Sequence, residues 1–269
     1  MDMEDLKTLY GDPQLRECGI GTPLVLLESV GSTNTCAREL ALAGALEGTA
    51  VMADSQSAGR GRMDRAWVSP AGVNLYMSVI LRPPRHAEHL TLVAPLAVIG
   101  ALERQCGLAA RVKWPNDVLV NGRKIAGLLG EASVASSGAG VEFVILGVGI
   151  NLNARRDQLP QRVLYPATSA FLESGREVSR IAVARDFFVD LARLYRELLR
   201  EGFNARLRSC WEARCAVLGH QVTVDTGAEK ILGTVLGLDP DGRLRLRLAD
   251  GRTERVVSGD ILAYDTTNP

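Results

Sequence analysis

Three arginines on a glycine-loosened segment, Gly59-Arg60-Gly61-Arg62-Met63-Asp64-Arg65-Ala66-Trp67, are the part of this chain best suited to chemistry on anions. Each guanidinium stays charged and can pair bidentately with phosphate or carboxylate. Gly59 and Gly61 allow the backbone to close on a ligand, and Gln56 and Ser57 precede them as uncharged hydrogen-bonding groups. Downstream, Lys113-Trp114-Pro115-Asn116-Asp117 and Lys124-Ile125-Ala126-Gly127 add two lysines, an amide and a carboxylate. Pro115 fixes its own φ and favours an extended Trp114, which stiffens the polar groups around it. Asp117 is a candidate Mg²⁺ ligand, and Gly127 leaves room for a bound molecule. The competing plain reading is a solvated basic turn beside a structural hairpin. Two such motifs in one chain favour a site that brings two anions together.

Other chemistries find little support. Gly147-Val148-Gly149-Ile150-Asn151-Leu152 has two glycines of a dinucleotide fingerprint but Leu152 in place of the third. A phosphate-binding GxxxxGK[ST] loop is absent, as is a GxSxG nucleophile motif. His86 and His89 follow a proline pair and lack a third ligand by spacing, which argues against a metal there.

The elements that must position these motifs alternate in type. Leu24–Leu27 reads as a buried strand, and Asn34–Ala43 as a helix capped by Ser32 or Thr33. Thr49–Asp54 and Asn74–Leu81 read as strands, Glu88–Cys106 as a largely buried helix that tolerates Pro95. Asn121-Gly122 between Val118–Val120 and Lys124-Ile125 signals a tight hairpin. Gly127–Ala132 continues its second arm, Ser136–Gly140 is a flexible loop tip, and Val141–Ile150 is a central strand. Helices are expected over residues 178–201 and around Ala205–Cys215. After Cys215 come four short strands separated by turns: Gln221–Asp225, Lys230–Leu238, Arg243–Leu248 and Thr253–Val257. The expected architecture is α/β (α+β): residues 1–23 a polar lead-in, 24–215 a mixed-sheet catalytic domain, 216–269 a small SH3-like β-barrel.

Bulk composition narrows the partners. Lys+Arg and Asp+Glu both number 31, so no overall positive field favours nucleic acid or a membrane surface. Any anion binding must be local. Five cysteines without a CxxC pair suit reduced thiols. With no apolar leader and no run long enough to span a bilayer, the expected compartment is the cytoplasm.

Taken in order, Ser32-Thr33-Asn34, Gln56, the arginine segment, Asn74-Leu75-Tyr76, the Lys113–Asp117 motif, Lys124-x-Ala126-Gly127 and Gly147-x-Gly149-Ile150-Asn151 resemble the biotin–protein ligases. The resemblance covers Glu28 to about Asn153 closely, and the C-terminal module is similar in length and character. It implies ATP-dependent conversion of biotin to biotinyl-5′-AMP with Mg²⁺, then transfer to a lysine of a biotin carboxyl carrier protein. It further implies that Ser32, Thr33, Asn34, Gln56, Gly59, Arg60, Gly61, Arg62, Lys124 and Gly127 line a biotin site. Gly147, Gly149 and Ile150 would floor it. Arg62, Arg65, Trp67, Lys113, Asn116 and Asn151 would meet ATP or its Mg²⁺. Lys124, Arg62 and Asp117 would be catalytic, with Asp117 also the candidate metal ligand. The arginine loop would order on ligand and keep water from the adenylate.

Two departures from the family pattern stand out. Asp64 replaces a common glycine, and no tryptophan lies near Tyr165–Phe171, where the family stacks adenine on one; Tyr165 or a neighbour would substitute. Lipoate–protein ligase is the alternative enzyme, though its Arg-Arg…Gly-Gly-Gly loop is missing. A non-catalytic biotin sensor is the alternative binder; it would have no use for the grip on a triphosphate. Only 23 residues precede Leu24, too few for a stable DNA-binding fold, so no DNA partner is expected. An exposed sheet edge leaves homodimerisation open.

Overall fold

The computed structural model describes residues 6–134, 140–160 and 165–264. Seven strands form a mixed sheet: β1 (Leu24–Val30), β2 (Ala50–Gln56), β3 (Leu75–Leu81), β4 (Arg111–Lys113), β5 (Asp117–Val120), β6 (Arg123–Val134) and β7 (Val141–Ile150). Their order is β1-β2-β3-β7-β6-β5-β4, with β1 and β2 parallel and the remaining neighbours antiparallel. β1 is half-buried rather than buried because it forms the sheet's edge. Of the loop tip expected at Ser136–Gly140, all but Gly140 lies outside the described residues.

Helices cover this sheet. They are α1 (Pro13–Cys18), α2 (Thr33–Leu42), α3 (Leu90–Cys106), α4 (Ala170–Ser174), α5 (Arg180–Glu201) and α6 (Ala205–Glu212). α1 begins with Asp12 accepting from the amides of Gln14 (2.8 Å) and Leu15 (3.3 Å), with Pro13 in its first turn. It ends at Gly19, whose φ is +74°. The segment expected as a polar lead-in is therefore built into the fold. Leu6, Leu9, Leu15 and Ile20 are at most 4% exposed and join the main core. Leucines spaced along a polar stretch supplied too weak a pattern to show this.

α3 is buried on most of its circumference, as its nearly continuous apolar sequence requires. Asn121 (φ +49°) and Gly122 (φ +71°) both take the left-handed backbone of a two-residue hairpin. That turn places β5 and β6 side by side, pairing Asp117 with Gly127.

The C-terminal sheet is antiparallel in the order β11-β10-β9-β8-β12: β8 (Gln221–Asp225), β9 (Lys230–Leu238), β10 (Leu244–Arg247), β11 (Thr253–Val256) and β12 (Asp260–Tyr264). The sequence pattern indicates the first four; it does not mark β12 or the five-residue α4. One apolar cluster runs through both sheets and includes Val93, Trp211, Val217, Leu238 and Leu244. The C-terminal sheet thus shares the main core, with β9 against α6, which matters for the site. No helix among the described residues is long and apolar enough to cross a membrane.

Candidate active site

A cavity of about 480 Å³ opens between the arginine segment, the β4–β5 turn, β6, β7 and the start of β12. Five cations line it (Arg60, Arg62, Arg65, Lys113 and Lys124), against two carboxylates, Asp117 and Asp260. A chain of zero net charge has concentrated positive charge in one crevice. Of the residues expected to line a biotin or nucleotide site, all but Gly59 and Ile150 do so.

Gly59 and Ile150 have other work. A Cβ on Gly59 would lie 2.5 Å from the carbonyl oxygen of Trp67, so only glycine fits where the arginine segment folds back. Ile150 is fully buried in the main core, so its side chain serves packing. Gly147 and Gly149 line the cavity as expected, and each also stands against a protein side chain. A Cβ on Gly147 would meet Asn34 Oδ1 at 2.1 Å, and one on Gly149 would meet the Trp67 indole at 2.5 Å. These glycines make room for two protein side chains, which in turn form the wall. Trp67 fits this packing role, its indole spread over Gly149 and close to the Cβ position of Gly127.

The arginine segment is a small hairpin. Arg60 and Ala66 form a bridge, and the Trp67 amide donates to the Gly59 carbonyl at 2.8 Å. Its tip uses left-handed backbone at Met63 (φ +52°) and Asp64 (φ +54°). Aspartate tolerates that conformation better than most residues, so the replacement of glycine at 64 leaves the turn intact. Arg62 Nη1 donates to Asp260 Oδ1 (3.2 Å), the Gly259 carbonyl (3.2 Å) and Asn116 Oδ1 (3.4 Å). Arg65 pairs with the other oxygen of Asp260, and Arg60 with Glu131 at 2.9 Å. Asp260 and Glu131 are the neighbours that motif spacing did not place, and Tyr165, the residue suggested in place of the family's tryptophan, lines the cavity. Asp260 ties both arginines to the C-terminal sheet, making that sheet a wall of the cavity.

At the other side, the hairpin turn aims two lysines at one carboxylate. Lys124 Nζ lies 2.6 Å from Asp117 Oδ1, and Lys113 Nζ 3.9 Å from Asp117 Oδ2. Asp117 is thus paired closely through one oxygen and only loosely through the other. Its position suits holding the lysines. Lys113 is only 4% exposed and sits 3.6 Å from the Tyr165 ring centroid. Burial lowers its pKa to about 8 against the opposing pull of Asp117, and the charge on Lys124 lowers it further. The ammonium is charged below that value and neutral above it. If this charge grips a phosphate, kcat/KM for the nucleotide should fall above about pH 8, since that ratio reports the free protein's groups. Lys113→Arg should remove the alkaline limb, because a guanidinium keeps its proton; an unmoved limb would assign it elsewhere.

The polar wall at α2 is equally ordered. Gln56 Oε1 accepts from the Thr33 amide (2.9 Å) and hydroxyl (3.1 Å), doing the capping expected of Ser32 or Thr33. The buried Ser32 hydroxyl is thereby left to the cavity. Asn34 donates to Glu131 at 2.6 Å. Asn116 bonds β6 at the Leu128 carbonyl, and Asn151 donates to the Thr168 carbonyl at 3.0 Å, so both amides brace the cavity they line.

Residues 26–151 match the biotin/lipoate A/B protein ligase family, and residues 217–263 match the biotin protein ligase C-terminal domain. The chain is 42% identical over 239 residues to a biotin--[acetyl-CoA-carboxylase] ligase of Paracoccus denitrificans, covering 84% of this chain and 95% of the relative. It is 36% identical over 245 residues to a bifunctional ligase/repressor BirA of Bacillus spizizenii, covering 90% and 74% respectively. This chain belongs to the biotin protein ligase family. A solved biotin protein ligase of Aquifex aeolicus, in complex with biotin and ATP, is 30% identical with a TM-score of 0.78 over 89% of this chain and 97% of that one.

Within a biotin protein ligase, the Gly149–Trp67 contact makes a direct test of the wall. Gly149→Ala would press a methyl group into the indole, and overpacking of this kind costs about 1–3 kcal/mol. We expect KM for biotin to rise roughly tenfold or more. An unchanged KM would mean that Trp67 yields freely and is not part of the binding wall.

Proposed function

We infer that this protein is a biotin–protein ligase that uses ATP to make biotinyl-5′-AMP and passes the biotinyl group to a carrier lysine. One observation carries the reading: Arg62, Arg65, Lys113 and Lys124 converge on a single crevice whose other wall is polar and uncharged around Ser32, Thr33 and Gln56. A carboxylate approaching a triphosphate meets strong repulsion, and fixed cations at the meeting point relieve it in the transition state. In the first step a biotin carboxylate oxygen bonds to the α-phosphorus and pyrophosphate leaves. In the second the carrier's amine bonds to the acyl carbon, loses its proton, and AMP departs. Neither step needs a covalent enzyme nucleophile.

Residue roles follow from position. Lys124, between Asp117 and the indole of Trp67, bridges the carboxylate and α-phosphate. Asp117 orients Lys124 and Lys113, and its charge opposes loss of the Lys113 proton. Arg62 and Arg65 exchange Asp260 for phosphate when nucleotide enters. Ser32, Thr33 and Gln56 offer hydrogen bonds to the biotin ring system, and Arg60 with Glu131 flanks its entrance. Tyr165 takes the place of a stacking tryptophan beside adenine. The acceptor is the lysine-bearing domain of a biotin carboxyl carrier protein.

The test is incubation with ATP, Mg²⁺ and an apo carrier domain, with biotin or lipoate supplied in parallel and the carrier's intact mass recorded. We expect a single biotinyl addition that requires ATP and a carrier lysine. Lipoyl addition in preference to biotinyl would redirect the reading to the other enzyme of the family. Biotin binding without any mass increase would leave a sensor.

A further inference from the structure

We propose that His86, Glu88 and His89 form a binding site for one transition-metal cation of the Zn²⁺ class, about the entry to α3 and outside the ligase cavity. Glu88 stands between the two histidines in the sequence, and the local turn gathers all three. The ligand atoms of His86, Glu88 and His89 all lie within 4.8 Å of one another.

The orientation of His89 is what points to a cation. Its ring is more than nine-tenths buried and stacks on Phe203, with centroids 5.1 Å apart and planes 11° from parallel. Nε2 lies 3.1 Å from the Asp241 carbonyl, a pure acceptor, so Nε2 carries the proton and donates. In the neutral ring Nδ1 is then a lone pair. It is buried and has no hydrogen-bond partner, although Glu88 Oε1 stands 3.3 Å away, off the line a hydrogen bond needs. Two electron-rich atoms face each other with nothing shared between them, and a cation bound to both removes the conflict. A ligating histidine that donates its second ring N–H to a backbone carbonyl is the usual outer arrangement of a metal site.

Dimensions and surroundings agree. Zn²⁺ bonds to nitrogen and oxygen of ~2.0–2.1 Å imply ligand–ligand edges near 3.3 Å in a tetrahedron. The Nδ1–Oε1 separation already has that value, and the largely exposed Glu88 side chain can close the remaining distance to His86. Bare backbone packs both rings: a Cβ on Gly202 would lie 3.2 Å from the His86 ring, and one on Gly242 3.0 Å from that of His89. Imidazole donors favour Zn²⁺ over Mg²⁺ or Ca²⁺. Three protein ligands leave a fourth position for water.

The site would also brace the two sheets. Asp241 sits in the β9–β10 turn, so a metal on Nδ1 makes Nε2–H a stronger donor to the C-terminal sheet. That sheet carries Asp260 to the arginine loop.

The test is titration of chelator-treated protein with Zn²⁺, followed by Co²⁺ as a spectroscopic probe, on the wild type, His86→Ala and Glu88→Gln. Both substituted side chains lie outside the ligase cavity, so carrier biotinylation is expected to persist in the variants. We expect one equivalent bound at micromolar concentration, with affinity lower by at least about tenfold in each variant. Zn²⁺ should raise the Tm of the wild type but not of His86→Ala. Co²⁺ should show d–d bands without thiolate charge transfer, which separates this site from the five cysteines. Absence of stoichiometric binding, equal affinity in the variants, or a thiolate band would each overturn the proposal.

Discussion

Lys124→Ala is expected to lower the rate of adenylate formation by a factor of about 10²–10³, the loss typical of removing one charge-stabilising donor. Two effects add in the same direction. The cation between carboxylate and phosphate disappears, and Asp117, 2.6 Å from it, is left with only the more distant Lys113 beside the incoming triphosphate. The double variant Lys124→Ala/Asp117→Asn should therefore recover part of the loss, because it removes the stranded anion. Single-turnover formation of biotinyl-5′-AMP measures this, with pyrophosphate release as the parallel readout. Lys124 is partly exposed, so folding should survive and thermal denaturation serves as the control. Adenylation at the wild-type rate in Lys124→Ala would reject the bridging role outright.

Arg62→Gly should have the opposite character: adenylate still forms, but escapes. Arg62 reaches Asp260, the Gly259 carbonyl and Asn116, so one side chain joins the arginine loop to the C-terminal sheet and the β4–β5 turn. In the role proposed for it, the same guanidinium holds the phosphate of the mixed anhydride once nucleotide is bound. Its loss removes both the cation and the latch, which opens the cavity to water and to foreign amines. We expect free biotinyl-5′-AMP in solution and biotin on exposed lysines of an unrelated bystander protein, at least about tenfold above wild type if the lost charged contact is worth its typical ~1.5–3 kcal/mol. Mass spectrometry of the bystander measures it. Retention of adenylate through gel filtration at the wild-type level would remove Arg62 from the guarding role.

Much of the site could be read from residue order, because its chemistry resides in local motifs. Gly59–Trp67, Lys113–Asp117 and Lys124–Gly127 each place charge and flexibility within a few residues, and the Asn121-Gly122 turn fixes how the last two face each other. Asp64 did not spoil the loop tip, since its φ of +54° is one aspartate accepts. The strands of the main sheet were legible for the same reason: their apolar runs are bounded by turn residues.

What the chain alone decided is the inventory of charge and the class of reaction that such charge suits. What only the folded molecule decided is which groups oppose one another. Asp260 stands 195 positions from Arg65, and Glu131 stands 71 from Arg60, distances over which no local pattern carries information. Asp117 meets Lys124 because β5 and β6 bring the two side chains together. Gly147 and Gly149 proved to admit Asn34 and Trp67, since steric space is a property of neighbours brought together by packing. The polar-looking N-terminal segment joined the core for that reason too: its leucines needed an apolar partner that exists only once the sheet and α5 have assembled.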